Sequence, residues 1–235
     1  FGGEFHSYSL ENPQTITQLS RQNGASGYTH DGSSFNVNDN RKLECQTSND
    51  QSCLVFLDFN EDAIKLWDIT NPSAPKLLST VTYNDVDKLS QYVHSGWWSE
   101  DKNYFFVHDE FDEMKAEINT TLRIFAMDSL KSPQQVGQWT GPTSAIDHNG
   151  YVRGNKYYMS NYERGLTILD ISNPAMPVEV GFFDTFPDSN NPAYNGAWGV
   201  YPFLPSGLIL VSDIQSGLYI LRDRSVINPE GALSF

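Results

Sequence analysis

The sequence predicts an all-β protein, a β-propeller of four-stranded antiparallel blades, on three observations. Similar segments begin at Phe5 (FHSYSLENPQTITQLS), Ile64 (IKLWDITNPSAPKLLS), Leu122 (LRIFAMDSLKSPQQVG) and Leu166 (LTILDISNPAMPVEVG), and LYILRD from Leu218 starts a fifth. Their starts lie 59, 58, 44 and 52 residues apart, a repeat of blade size with loop insertions. Each repeat breaks into short runs that alternate apolar and polar residues between Gly, Asn and Pro turns, the pattern of antiparallel strands with one buried face. Proline stays out of the runs: Pro72, Pro75, Pro133, Pro174 and Pro177 fall between third and fourth strands, where no ladder N–H is required.

The elements follow in order. Residues 1–22 form a partial blade with only its third and fourth strands; blades over 23–84, 85–142 and 143–187 come next. The clearest blade runs GYVRG, KYYMSNY, LTILDI and VEVGFF, with turns at Gly154-Asn155, Glu163-Arg164-Gly165 and Asn173-Pro174. A last blade over 188–224 has GAWGVYPF, GLILVSD and LYILRD without a clear fourth strand, and a tail covers 225–235. Trp67-Asp68 looks like a WD dipeptide, but its Gly-His partner is absent, so it is read as coincidence. The strand count leaves two arrangements. Either the N-terminal strands complete the last blade in a ring of about four blades, or the chain is the C-terminal part of a larger propeller. The second is expected, because Phe1 falls inside a blade; the missing N-terminal blades of the same protein are then a partner of this part.

Composition narrows the function. A net charge of -14 over 235 residues excludes unaided attraction to nucleic acid or an anionic membrane and favours cations as partners. CLVFL and GLILV are strand-sized, so direct membrane insertion is not expected. The start at Phe1 implies a processed or partial chain. Cys45 and Cys53 enclose CQTSNDQSC; export would oxidise them to a disulfide, and the other reading is two free thiols, no zinc set being completed nearby. Asn119-Thr120-Thr121 is a glycosylation sequon, usable only in a eukaryote.

In an up-and-down blade the start of the inner strand shares a face with the second hairpin. The inner strands are headed by His30 and Asp31, His94 and Ser95, Asp147, His148 and Asn149, and Asn195 and Trp198. The second hairpins bring Asp58 to Asp62, His108 to Glu113, Asn161 to Glu163, and Asp213. Three readings of that face compete. The histidines tie neighbouring strands together through backbone hydrogen bonds while the carboxylates are solvated. Alternatively Asp109, Glu110, Asp112 and Glu113, four carboxylates in five positions, hold a hard cation such as calcium, although the spacing is not that of an EF-hand. In the third reading, two or three ring histidines with Asp31 or Asp147 hold a transition metal.

No serine-elbow, HExxH, phosphate-loop or dinucleotide motif is present, and no organic cofactor is expected. Trp97, Trp98, Tyr162 and Trp198 serve either as a sugar platform or as packing between blades.

The ordered runs CLVFLDFNEDAIKLWDITNPSAPKLLS, YVHSGWWSEDKNYFFVHDEFDE, AIDHNGYVRGNKYYMSNYERGLTILDISNP, VGFFDTFP and NGAWGVYPFLPSGLILVSDIQSGLYIL resemble the LVIVD-repeat proteins of the choice-of-anchor B family, from about Cys45 to Leu221. The resemblance implies an exported bacterial propeller, secreted or held at the cell surface, with further repeats upstream. It transfers no catalytic activity. Two heads depart from the family pattern: Val93-His94-Ser95-Gly96 stands for Thr-His-Gln-Gly, and His148-Asn149-Gly150 for His-Asn-Leu. The expectation is therefore a secreted or cell-surface module that binds a protein or glycan through this face, with calcium as its small ligand. The alternative is a hydrolytic or metal-dependent enzyme using His30, His94, His148 and Asp147 in the central funnel.

Overall fold

The computed structural model describes residues 5–22, 27–46 and 51–224; the predicted tail over 225–235 lies outside them. A two-stranded hairpin, β1 (His6–Ser9) and β2 (Thr17–Arg21), comes first. One four-stranded antiparallel sheet follows, made of β3 (Asp31–Val37), β4 (Cys53–Phe59), β5 (Ile64–Asp68) and β6 (Lys76–Val81). The next contains β7 (Val93–Trp98), β8 (Tyr104–Asp109), β9 (Thr121–Ala126) and β10 (Gln134–Thr140), with one helical turn, α1 (Asp112–Lys115), between β8 and β9. The third contains β11 (Asn149–Arg153), β12 (Lys156–Asn161), β13 (Gly165–Asp170) and β14 (Val178–Phe183). A three-stranded sheet of β15 (Ala197–Tyr201), β16 (Leu208–Asp213) and β17 (Gly217–Arg222) completes the series. Each sheet pairs its strands in chain order, as blades do, and the inner strands β3, β7, β11 and β15 neighbour one another in that order.

The blades stack because both faces of the middle ones are apolar. On β8, Phe105 and Val107 pack with Val55, Leu57 and Phe59 of the preceding blade. Phe106, one residue out of phase, joins Leu122, Tyr157, Met159 and Leu169 on the other side. Period-two alternation thus feeds two cores from one strand. A third core joins Tyr158 and Ile168 to Ala197, Ile209 and Val211. The β1–β2 hairpin does not complete the last blade. Phe5, just ahead of it, packs on Phe56 and Trp67, at ring separations of 5.1 and 5.2 Å, and Ser20 donates to the Pro72 carbonyl at 2.8 Å.

Cys45 and Cys53 form a disulfide beside a short helical turn at Asn40–Glu44, where Asp39 caps Arg41. Arg41 Nη1 donates to the carbonyls of Lys102 and Met127 at 2.7 Å each, tying that turn to the next blade. Opening the bridge frees a short loop in the unfolded chain, so the double substitution Cys45→Ser, Cys53→Ser is expected to cost roughly 2–3 kcal/mol. Urea titration under non-reducing conditions checks it; an unchanged midpoint would contradict it. Among the described residues no helix is long and apolar enough to cross a membrane.

Candidate metal centre

Two of the four inner strands begin with a slip of the ladder, and the other two with a backbone bond just ahead of it. In β7 the ladder slips at His94, so that Val93 faces Asp109 and Ser95 faces His108; in β15 it slips at Trp198, between the Ala197–Asp213 and Gly199–Ser212 pairs. His30 N–H donates to the Phe59 carbonyl that faces Asp31, and His148 N–H to the Ser160 carbonyl that faces Asn149. An extra residue in one strand re-aims its side chain. Three imidazoles and one indole are thereby laid side by side around the inner rim. Ring centroids are 4.3 Å apart for His30 and His94, 4.4 Å for His94 and His148, and 5.6 Å for His148 and Trp198.

Backbone carbonyls fix the ring states. His30 Nδ1 lies 3.2 Å from the His94 carbonyl, and His94 Nδ1 lies 3.1 Å from the His148 carbonyl, which also accepts from Ser95 Oγ at 2.5 Å. A carbonyl only accepts, so Nδ1 carries the proton and Nε2 of the neutral ring keeps its lone pair. His148 has the Trp198 carbonyl in the corresponding place, although its Nδ1 is outside hydrogen-bond geometry. Burial, reinforced by the other histidines, holds His94 down to about 2. Burial likewise holds His148 down to about 3, against the Trp198 carbonyl, so both rings are neutral at ordinary pH.

Glu110, just past β8, meets those lone pairs. Its Oε2 lies 3.6 Å from His94 Nε2 and its Oε1 lies 3.6 Å from His148 Nε2, while Tyr162 donates to Oε1 at 2.6 Å. One ligand atom from each of the three residues falls within 4.8 Å of the others. The His94 Nε2 lone pair faces a carboxyl that burial raises above the usual carboxylate range, and a cation placed among the three groups would satisfy them together. The separations are close to the roughly 3.3 Å that tetrahedral bonds of about 2.0–2.1 Å from zinc to nitrogen and oxygen imply. The set fits a borderline metal through two imidazoles and one carboxylate, and a fourth ligand would come from outside these three residues. His30 is exposed and packs tilted against His94, but its nitrogens are not among the converging atoms.

The other predicted residues take separate places. Asp31 accepts from the Gly32 N–H at 2.6 Å and, with Ser95, Asn149 and Tyr151, lines a narrow cavity of about 90 Å3 between the inner strands. Asp147 is fully buried, paired with His108 Nδ1, whose Nε2 is 2.7 Å from the Tyr157 hydroxyl. Asn161 donates to Thr120 Oγ1 at 3.2 Å, and Asn195 donates to Glu163 at 2.8 Å. Trp198, 56 % exposed, takes the fourth imidazole position, whereas Trp97 packs on Trp98 and Tyr151.

The four carboxylates grouped from sequence do not share one site. Asp109 is buried and consumed by the Tyr83 hydroxyl and by the N–H groups of Tyr92, Phe111 and Asp112. Glu110 faces the rim, Asp112 pairs with Arg123, and Glu113 accepts the Asp147 N–H at 3.4 Å. Asp109 ends β8 and turns inward while Glu110, the next residue, turns to the rim, and α1 then carries Asp112 and Glu113 together toward Asp147. Sequence reasoning also chose Asp31 or Asp147, not Glu110, as the carboxylate for the histidines. A legible signal was the His-x-Gly spacing at His30-Gly32, His94-Gly96 and His148-Gly150. Each glycine lets the strand close on its neighbour, a Cβ at Gly150 falling 2.3 Å from the Tyr157 ring.

Four-stranded antiparallel blades around a shared inner rim define the class, a β-propeller. Residues 151–185, which span β11 to β14, match the LVIVD repeat. No curated protein matches the chain in sequence. Among solved structures, a protein from Lactobacillus plantarum is similar with TM-score 0.63 and 12 % identity, over 93 % of this chain and 63 % of its own. A candidate 6-phosphogluconolactonase of Bacteroides fragilis is similar with TM-score 0.63 and 12 % identity, over 94 % and 61 %. The periplasmic gluconolactonase of Pseudomonas aeruginosa gives TM-score 0.51 and 14 % identity over 78 % and 56 %. The chain thus spans less than two thirds of each of these structures, and at such identities the likeness concerns the fold.

Proposed function

We propose that this protein is an exported β-propeller binding module whose inner rim holds a divalent transition-metal ion through His94, His148 and Glu110. The metal's open positions then receive an oxygen-bearing group of a protein or glycan at the cell surface. One observation carries the reading: two neutral imidazoles and the Glu110 carboxyl bring three ligand atoms within 4.8 Å of one another, and the His148 carbonyl at His94 Nδ1 leaves His94 Nε2 free to bind. Export is supported by the Cys45–Cys53 disulfide, the acidic composition and the resemblance to choice-of-anchor B proteins. Exposed Trp198, Tyr194 and Tyr28 near this rim suit a glycan or an aromatic-rich partner. Zinc titration by calorimetry tests the metal. Glu110→Gln and His148→Ala are each expected to weaken binding by more than about 100-fold, since even hydrogen-bond partners of ligands are worth about 10–100-fold. Wild-type affinity in both variants would refute the reading.

A three-ligand set, short of the four that close a structural zinc site, favours one second reading, a metal-dependent hydrolase, and two of the similar structures bear lactonase names. Zinc-loaded protein that hydrolyses a sugar lactone, and loses that activity in Glu110→Gln, would establish it.

A further inference from the structure

A second group of charges lies in the interior, separate from the rim. Asp112 and Glu113 on α1 and Asp147 ahead of β11 are 0, 1 and 0 % exposed, and one carboxylate oxygen of each lies within 4.8 Å of the others. Each residue has one oxygen occupied: Asp112 Oδ2 accepts from Arg123 Nη2 at 2.7 Å, Glu113 Oε1 from the Asp147 N–H, and Asp147 Oδ2 faces His108 Nδ1. The second oxygen of each, Asp112 Oδ1, Glu113 Oε2 and Asp147 Oδ1, is buried and accepts from no N–H or hydroxyl donor, the Asp112 and Glu113 carboxyls lying close enough to share a proton. Three orphaned carboxylate oxygens in one interior are costly, because buried polar groups otherwise find partners. Arg123 does not balance them, since it also pairs with Asp85.

We infer that Asp112, Glu113 and Asp147 bind a calcium ion that pins α1 and the lead-in to β11 together between two blades. The donors are carboxyl oxygens only, the chemistry of a hard cation, and the spacing suits metal–oxygen distances of about 2.3–2.6 Å. The rim with its imidazoles takes a softer metal, so the two sites are distinguishable by ion. Proton sharing among the carboxylates is the competing explanation.

The test compares wild type, Glu113→Gln and His148→Ala, each dialysed exhaustively against EGTA and melted with or without added calcium. Wild type and His148→Ala are expected to gain about 5–10 °C with calcium, an ordinary shift for a ligand well above its dissociation constant in a chain of this size. Glu113→Gln should lose that gain and, relieved of one charge, melt above the wild type in EGTA. A calcium gain retained by Glu113→Gln, or no gain in wild type together with no calcium by elemental analysis before dialysis, would overturn the site. A gain lost only in His148→Ala would also overturn it, by placing the ion at the rim.

Discussion

Replacing Arg123 with methionine is expected to cost about 3–5 kcal/mol of stability in EGTA, because it strips the counter-charge from a buried acidic interior. The side chain is fully buried. Its Nε lies 3.0 Å from both Asp85 oxygens, its Nη2 2.7 Å from Asp112, its Nη1 3.3 Å from the Thr121 carbonyl, and the guanidinium sits 4.1 Å over the Tyr83 ring. Burial alone would disfavour the charge, but the carboxylates around it hold it protonated. Methionine fills most of the volume and leaves Asp85 and Asp112 unpaired, with Asp109 close enough to raise Asp112 further. Asp112 is already pushed up to about 7, by burial first and then by Asp109. Adding Asp112→Asn should restore part of the loss, since one stranded charge disappears. Urea titration of the single and double variants measures both effects, and a loss below about 1 kcal/mol in the single variant would show that the interior is not organised around this cation.

Gly96→Ala is expected to cost about 3 kcal/mol or more, at the upper end of overpacking penalties. A Cβ there falls 2.1 Å from the Phe106 carbonyl oxygen and 2.6 Å from two Phe59 ring atoms. One obstacle is backbone of the paired strand β8 and the other is the core of the preceding blade, so relief requires β7 to move from both. That movement carries His94 with it and should also weaken metal binding. Gly154→Ala is the control: nothing lies within 4 Å, and only its φ of +58° opposes the change, a cost of about 1 kcal/mol. Denaturant melts of the two variants check the contrast, and equal losses would contradict it.

These residues show why part of the protein was legible in sequence and part was not. The blades were visible because a repeat of roughly fifty residues, alternation and proline placement are local signals that agree with one another. The histidine ring was visible too, since His30, His94 and His148 head equivalent runs. Trp198 stands in the fourth place through a ladder slip that only the register reveals. The carboxylates were misgrouped because closeness in sequence was taken for closeness in space. Asp109 is spent on backbone N–H groups two and three residues on, Glu110 swings to the rim, and Asp112 and Glu113 face Asp147, 34 residues further along. The end of β8 divides Asp109 from Glu110, and the helical turn that gathers Asp112 and Glu113 has four residues, too few to show a period in sequence.

The most direct test of the rim site is anomalous diffraction at the zinc edge from crystals grown with equimolar zinc. The proposed site predicts one strong peak bonded to His94 Nε2, His148 Nε2 and a Glu110 oxygen. Zinc found only elsewhere, with the His94–Glu110–His148 cluster empty at full protein occupancy, would contradict it.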